Sequence, residues 1–189
     1  MKIVLASSSP RRQQLLELIG LTFTIVVSQI EEDNAKDLPP HELAIGQARD
    51  KAMDVSKQVA GDAVVIGADT IVVLDGKVFG KPVDRQDAVR MLTALAGREH
   101  TVISGVAVVR GGRVFTGFSA TAVTLRPLSV AQIERYVDTG EPMDKAGAYA
   151  IQGRGTLLVE SINGCYNNVV GLPLVLLSKL LGQAGVELL

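Results

Sequence analysis

Four short stretches of this chain concentrate residue types suited to holding phosphate and a divalent cation: Ser7-Ser8-Ser9-Pro10-Arg11-Arg12, Glu31-Glu32-Asp33, Gly67-Ala68-Asp69-Thr70 and Gly80-Lys81-Pro82. The first follows an apolar run, Ile3-Val4-Leu5-Ala6, that suits a buried parallel strand. Serines at a helix start can cap its unpaired N–H groups, and Pro10 fits the first helical turn. Those N–H groups and the helix dipole attract anions, and two arginines add bidentate donors matched to phosphate oxygens. The same residues also fit an ordinary capped helix with two solvated arginines.

Asp69 sets a carboxylate amid apolar strand residues, which is costly unless the charge is paired, hydrogen-bonded or metal-bound. A turn aspartate or a structural ion pair is the plain alternative, but unpaired buried charge is rare without a functional reason. Glu31-Glu32-Asp33 alone reads as a solvated loop. Together with Asp69 it could hold Mg²⁺, which takes one or two carboxylates plus phosphate oxygens and water. Lys51 on a helix and Lys81 after Phe79-Gly80 both fit surface lysines. Lys81 is the better candidate of the two, because Gly80 and Pro82 fix its backbone. Lys145 lies in the glycine-bearing run Asp144-Lys145-Ala146-Gly147-Ala148-Tyr149, and Gln152 carries an amide that could read one edge of a base.

The elements that must position these residues alternate between strand and helix signals. Phe23–Val27 predicts a second strand and His41–Val59 a helix. Ala63–Ile66 predicts a third strand, broken at Gly67–Thr70 and resumed over Ile71–Leu74, with Asp75-Gly76 as a hairpin turn. Asp84–Ala96 reads as a helix closed by Gly97. Thr101–Val109 and Val114–Leu125 read as antiparallel strands joined at Gly111-Gly112. Ser129 caps a helix through Tyr136, and Gly140–Gly155 is a glycine-rich loop with a short apolar element at Ala148–Ile151. Gly153-Arg154-Gly155 reads as a flexible loop. Leu157–Ile162 predicts a strand and Leu172–Leu181 the last helix. The mixture indicates α/β architecture, a mixed sheet with flanking helices, carried by a single domain over 1–189.

Composition narrows the classes. Nineteen Lys and Arg against 20 Asp and Glu give a net charge of −1, which argues against a general nucleic-acid or anionic-membrane surface. One cysteine, Cys165, rules out an intramolecular disulfide and suits a reducing cytoplasm. No apolar run approaches the roughly 20 residues of a membrane-spanning helix, and Met1 runs almost directly into a strand signal, with no h-region and small-residue cleavage site. There is no Walker-type phosphate loop and no Gly-x-Gly-x-x-Gly after a strand. His41 and His100 are too far apart in sequence to suggest zinc, and Cys165 has no evident partner base.

In their joint order and spacing, Ala6–Arg12, Glu31-Glu32, Gly67–Thr70, Gly80–Pro82, Asp144–Tyr149, Ile151-Gln152-Gly153 and Asn168–Pro173 closely resemble the Maf family of nucleoside triphosphate pyrophosphatases. The resemblance covers essentially the whole chain. It implies a mixed α/β fold similar to that of inosine triphosphate pyrophosphatases, with two lobes around a central cleft, and a homodimer. It implies a metal-dependent enzyme, with Mg²⁺ or Mn²⁺, that converts a nucleoside triphosphate to the monophosphate and pyrophosphate. Matched position by position, Asp69 is the proton acceptor. Ser7, Arg12, Glu32, Lys51 and Lys81 match the phosphate and metal end, Glu32 and Asp69 being the metal pair, and Lys145 is assigned to substrate binding. Arg11, Thr70 and Gln152 match the positions that divide the subfamilies, and these three residue types look like the branch acting on dTTP and UTP. The alternatives are a pyrophosphatase for purine or 7-methylguanine triphosphates, and a nucleotide-binding regulator of cell division without turnover. A general base together with both lysines favours turnover.

Overall fold

The computed structural model describes residues 1–189, which form a seven-stranded mixed sheet with helices. The strands are β1 (Lys2–Leu5), β2 (Thr24–Ile25), β3 (Ala63–Leu74), β4 (Lys77–Phe79), β5 (Glu99–Arg110), β6 (Arg113–Leu125) and β7 (Val159–Asn163). The α-helices are α1 (Pro10–Leu18), α2 (Pro40–Ser56), α3 (Arg85–Leu95), α4 (Val130–Val137), α5 (Tyr166–Val170) and α6 (Leu174–Gln183). Strand order is β2-β1-β3-β5-β6-β7, with β4 pairing β3 outside that path. β1 runs parallel to both β2 and β3, with Leu5 opposite Ile25 and Ile66. β3 and β4 are antiparallel around Asp75-Gly76, as are β6 and β7. β5 and β6 are neighbours joined only by Gly111-Gly112, so they too are antiparallel, because a parallel pair needs a long crossover.

The chain divides into two compact units. The first contains Met1–Asp69, Ser104–Ser119 and Gly171–Leu189; the second contains Thr70–Ile103 and Ala120–Val170. In the first, Val4 and Ala6, Ala48, Ala52 and Val55 from α2, Val65, Ala107 and Val109 share one core. In the second, α3 and α4 bury Leu92, Leu95, Ile133 and Tyr136 against Val72, Val102, Val123 and Leu125. Asp84 caps α3 by accepting from the Asp87 amide at 2.7 Å. Ser129 and Gln132 cap α4 reciprocally, a two-way arrangement that satisfies two donors at once. No helix is long and apolar enough to cross a membrane.

Several elements differ from their sequence signals. β3 runs unbroken through Gly67, Ala68, Asp69 and Thr70. It continues because Gly67 faces α2, and Asp69 meets a buried cation there instead of forcing a turn. β2 shrinks from the expected Phe23–Val27 to Thr24–Ile25. It pairs only with β1, and both residues are exposed, so β-branched propensity has little packing to act on. The expected helix to Val59 stops at Ser56, and the expected strand at Leu157 starts at Val159. Gly140–Gly155 is not open loop. It carries 3-10 turns over Glu141–Asp144 and Ala146–Ala148, and a third over Gly153–Leu157 replaces the expected flexible Gly153-Arg154-Gly155.

The two histidines are structural. His41 stacks on Phe118 at 5.0 Å between ring centroids. His100, 3% exposed, places Nε2 2.6 Å from the Tyr149 hydroxyl. Burial lowers the His100 pKa to about 4, so the ring is neutral at pH 7. A histidine depressed in the folded state stabilises above its unfolded pKa of about 6.5 and loses that contribution as pH falls towards the folded value. The cost of charging it in place reaches about 3 kcal/mol by pH 4. Urea unfolding at pH 7 and pH 4 is expected to show wild type losing about that much more stability than His100→Gln. Equal losses in the two proteins would show that His100 is not the titrating group.

Candidate functional site

β1 delivers the first part of the site. Its pairing with β3 extends one residue past Leu5, through the Ala6 amide donating to the Ile66 carbonyl at 2.8 Å. The chain then turns at Ser7 into α1, with Pro10 in the first turn as expected. Ser9 sits at the cap position but makes no side-chain cap. Ser7 closes the turn instead: its Oγ accepts from the Ser9 amide and from Arg12 Nη1, both at 3.2 Å. Arg12 Nε donates to the Gly171 carbonyl at 2.9 Å, fixing the guanidinium from its other side. Burial lowers the Arg12 pKa, and the charges of Asp69 and Glu32 oppose that shift, so both carboxylates lie within electrostatic reach of the guanidinium.

The second part is an ion cluster built on a buried lysine–aspartate pair. Asp69 is 3% exposed and Lys51 8%. Lys51 Nζ donates to Asp69 Oδ1 at 2.6 Å and to Glu32 Oε1 at 2.7 Å. Lys51 lies on the core-facing side of α2, beside Ala48, Ala52 and Val55, where a lysine is tolerated only with its ammonium paired. Two glycines bring that helix close. A Cβ on Gly67 of β3 would stand 2.3 Å from the Ala48 carbonyl oxygen, and one on Gly105 of β5 2.3 Å from the Ala44 backbone. Strand glycines mark such close backbone approaches. Glu32 reaches the cluster from a loop tied to α2 at three levels. Asp54 accepts from Ser28 Oγ at 2.8 Å and from the Gln29 amide at 3.0 Å, Lys51 holds Glu32, and Gln47 donates to Asn34 Oδ1 at 2.8 Å.

The remaining sequence candidates are distributed as follows. Arg11 is partly buried on α1, one residue before Arg12. Thr70 follows Asp69 on β3 and is partly exposed. Lys81 is exposed between β4 and α3; its neighbour Gly80 accepts from the Gly147 amide at 3.0 Å, tying that segment to the Lys145 turn. Lys145 Nζ donates to the Glu141 carbonyl at 3.1 Å and pairs with the Asp144 carboxylate. Gln152 is partly buried just before the 3-10 turn at Gly153. Lys51, ranked below Lys81 on sequence, is the buried lysine of the two, because ion pairing outweighs the backbone rigidity that favoured Lys81. Gly105, Gln47 and Asn34 are not singled out by the sequence, which reads Gly67 only as a strand break and Gly171 only as part of the Asn168–Pro173 motif. Glycines within apolar strands were the available signal for Gly67 and Gly105.

The donor set suits a hard divalent cation, since Glu32 and Asp69 bring two carboxylates to a single ammonium and phosphate oxygens can complete such a shell. No group of three or more His, Cys, Asp or Glu side chains is assembled for an all-protein metal cage. The cluster therefore offers anchored carboxylates and cations around one buried point, an arrangement fit for binding a polyanion and accepting a proton beside it.

Residues 2–184 match the Maf-like protein family. A dTTP/UTP pyrophosphatase from Symbiobacterium thermophilum is 51% identical over 97% of this chain and 94% of its own length. One of the same name from Moorella thermoacetica is 53% identical over 98% of this chain and 96% of its own. Among solved structures, a HAM1 protein from Coxiella burnetii is 16% identical, with a TM-score of 0.45 over 66% of this chain and 73% of that one. The family match spans nearly the whole sequence and the two relatives keep about half of its residues, so the chain belongs to the Maf family.

Proposed function

We propose that this protein is a nucleoside triphosphate pyrophosphatase that hydrolyses dTTP and UTP to the monophosphate and pyrophosphate by water attack at the α-phosphorus. The carrying observation is the buried Lys51–Asp69 pair, reached by Glu32 and with Arg12 in electrostatic range; full-length relatives named dTTP/UTP pyrophosphatase support the same reading. Asp69 is the proton acceptor. Lys51 engages Oδ1, so Oδ2 is the oxygen that takes the water proton. Lys51 also fixes the rotamer of that carboxylate, so little reorganisation is required as the proton moves. Ser7 and Arg12 bind phosphate oxygens; Arg12 is already aimed by its bonds to Ser7 and Gly171. Lys81 and Lys145 neutralise charge on the phosphates, and Arg11, Thr70 and Gln152 read the base. A divalent cation, Mg²⁺ or Mn²⁺, held by Glu32 and Asp69 would neutralise charge developing on the phosphate oxygens and the leaving group.

Product analysis tests the reaction class. Incubation with UTP and Mg²⁺ or Mn²⁺ is expected to release UMP and pyrophosphate in equal amounts from the first turnover, with UDP a poor substrate. EDTA is expected to stop release. UDP with inorganic phosphate as the products would place attack at the γ-phosphorus and overturn the reading.

A further inference from the structure

The segment carrying Gln152 is gripped on both sides by one pair of residues. On the near side, the Ala150 amide donates to the Tyr136 hydroxyl oxygen at 3.3 Å. On the far side, the Arg154 amide donates to Glu141 Oε2 at 3.0 Å and the Gly155 amide to Glu141 Oε1 at 2.9 Å. The two grips share a bond, since the Tyr136 hydroxyl donates to Glu141 Oε1 at 2.9 Å. Tyr136 is 6% exposed and anchored in the core of its unit by α4. Space around the pair is tight: a Cβ on Gly153, which has φ +63°, would lie 2.8 Å from Glu141 Oε2, and one on Gly155 2.8 Å from the Tyr136 hydroxyl. Burial and the Glu141 carboxylate raise the Tyr136 pKa, so the phenol stays a donor. Burial works against the Glu141 carboxylate, yet the Gly155 and Arg154 amides, Tyr136 and Lys145 hold its pKa below the usual range. It therefore remains a two-oxygen acceptor.

We propose that Tyr136 and Glu141 form a positioning pair for Gln152, fixing the amide that reads the base and thereby setting base selectivity, without touching the reacting atoms. This rests on the assignment of Gln152 to base recognition made above. A carboxylate accepting two consecutive amides holds a turn much as a helix cap does, and Glu141 does so immediately after Gln152. Selectivity built from hydrogen bonds requires the reading group to stay in register, because a displaced amide pairs with right and wrong bases alike. Glu141→Gln keeps the volume of the side chain but replaces one acceptor oxygen by a donor that cannot accept from an amide. Tyr136→Phe keeps the packed ring and deletes both hydroxyl bonds.

The test is the ratio of kcat/KM for UTP over CTP in wild type, Glu141→Gln, Tyr136→Phe, Gln152→Ala and the double variant Glu141→Gln with Gln152→Ala. Each pair variant is expected to lower the ratio about tenfold, the scale of one misaligned hydrogen bond. The loss should appear in KM for UTP, with kcat held within about threefold of wild type, as expected when binding rather than chemistry is affected. In the double variant, Glu141→Gln should cost no further selectivity once Gln152 is gone, a non-additivity that a general weakening of the fold does not produce. If Gln152→Ala lowers the ratio and neither pair variant does, the positioning role is wrong and the assignment of Gln152 stands. If Gln152→Ala leaves the ratio unchanged, the assignment itself fails and the proposal with it. Equal loss of kcat for every triphosphate, or loss of the folded circular-dichroism spectrum in Glu141→Gln, would make the pair structural and overturn the proposal.

Discussion

Asp69→Asn is expected to abolish hydrolysis of UTP while the protein stays folded, with kcat falling on the order of 10²-fold or more, the usual loss on removing a general base. The substitution preserves volume and leaves an oxygen for Lys51 Nζ, which also keeps its bond to Glu32. The buried ammonium is therefore not stranded, since Glu32 still carries a countercharge, but the variant removes the base and one of the two charges on Lys51 together. Lys51→Met is the harsher change: it leaves the buried Asp69 without its cation, so a loss of stability should accompany the loss of turnover. Pyrophosphate release and a thermal melt, measured on the same preparations, separate these effects. Near-normal turnover by Asp69→Asn would remove Asp69 from the mechanism.

Base choice is the second large effect. Uracil and thymine present two carbonyl acceptors flanking one N3–H donor, and in the base-reading role proposed for it the amide of Gln152 would offer that edge a donor and an acceptor. Cytosine exchanges one acceptor for an amino group and the N3–H for an acceptor, which leaves groups of the site unpaired. Discrimination in sites built this way reaches about 10⁴. The expected order is dTTP and UTP well above CTP and the purine triphosphates. dTTP and UTP should differ from each other less than either does from CTP, since one methyl is worth roughly 1–3 kcal/mol. A panel of triphosphates assayed for kcat/KM decides the matter, and a preference for GTP or 7-methyl-GTP over UTP would move the protein to another branch of the family.

The strand, serine turn and helix at the start of the chain were legible because each step has a local cause: an apolar run, hydroxyl groups and a proline at the first helical turn. Helix α3 was legible for the same reason, with Asp84 marking its start. The passage of β3 through Asp69 was not. The cost of a carboxylate in an apolar strand is visible in sequence, but the ammonium that offsets it lies 18 positions away on α2, and periodicity cannot say which lysine turns inward. The site residues were recognisable as types in order. Their grouping came only from the family resemblance, since residue type alone does not distinguish the glutamate in Glu31-Glu32-Asp33 that meets Lys51 from its neighbours. The clamped turn at Gly153 was missed because its partner, Glu141, is joined to it only by backbone amides, which every residue carries alike.

Gly67 and Gly105 give the Lys51–Asp69 pair a dependence that no charged residue reveals. With no Cβ on either strand position, α2 rests almost on the sheet backbone, and the reach of Lys51 to Asp69 is set by that spacing. A single methyl at either glycine would lift the helix and stretch the ion cluster without altering any functional group. The effect is that two chemically silent positions constrain the ion cluster as directly as its charged members do. For engineering, they offer a mechanical dial on catalysis, reached from the backbone rather than from the reacting atoms.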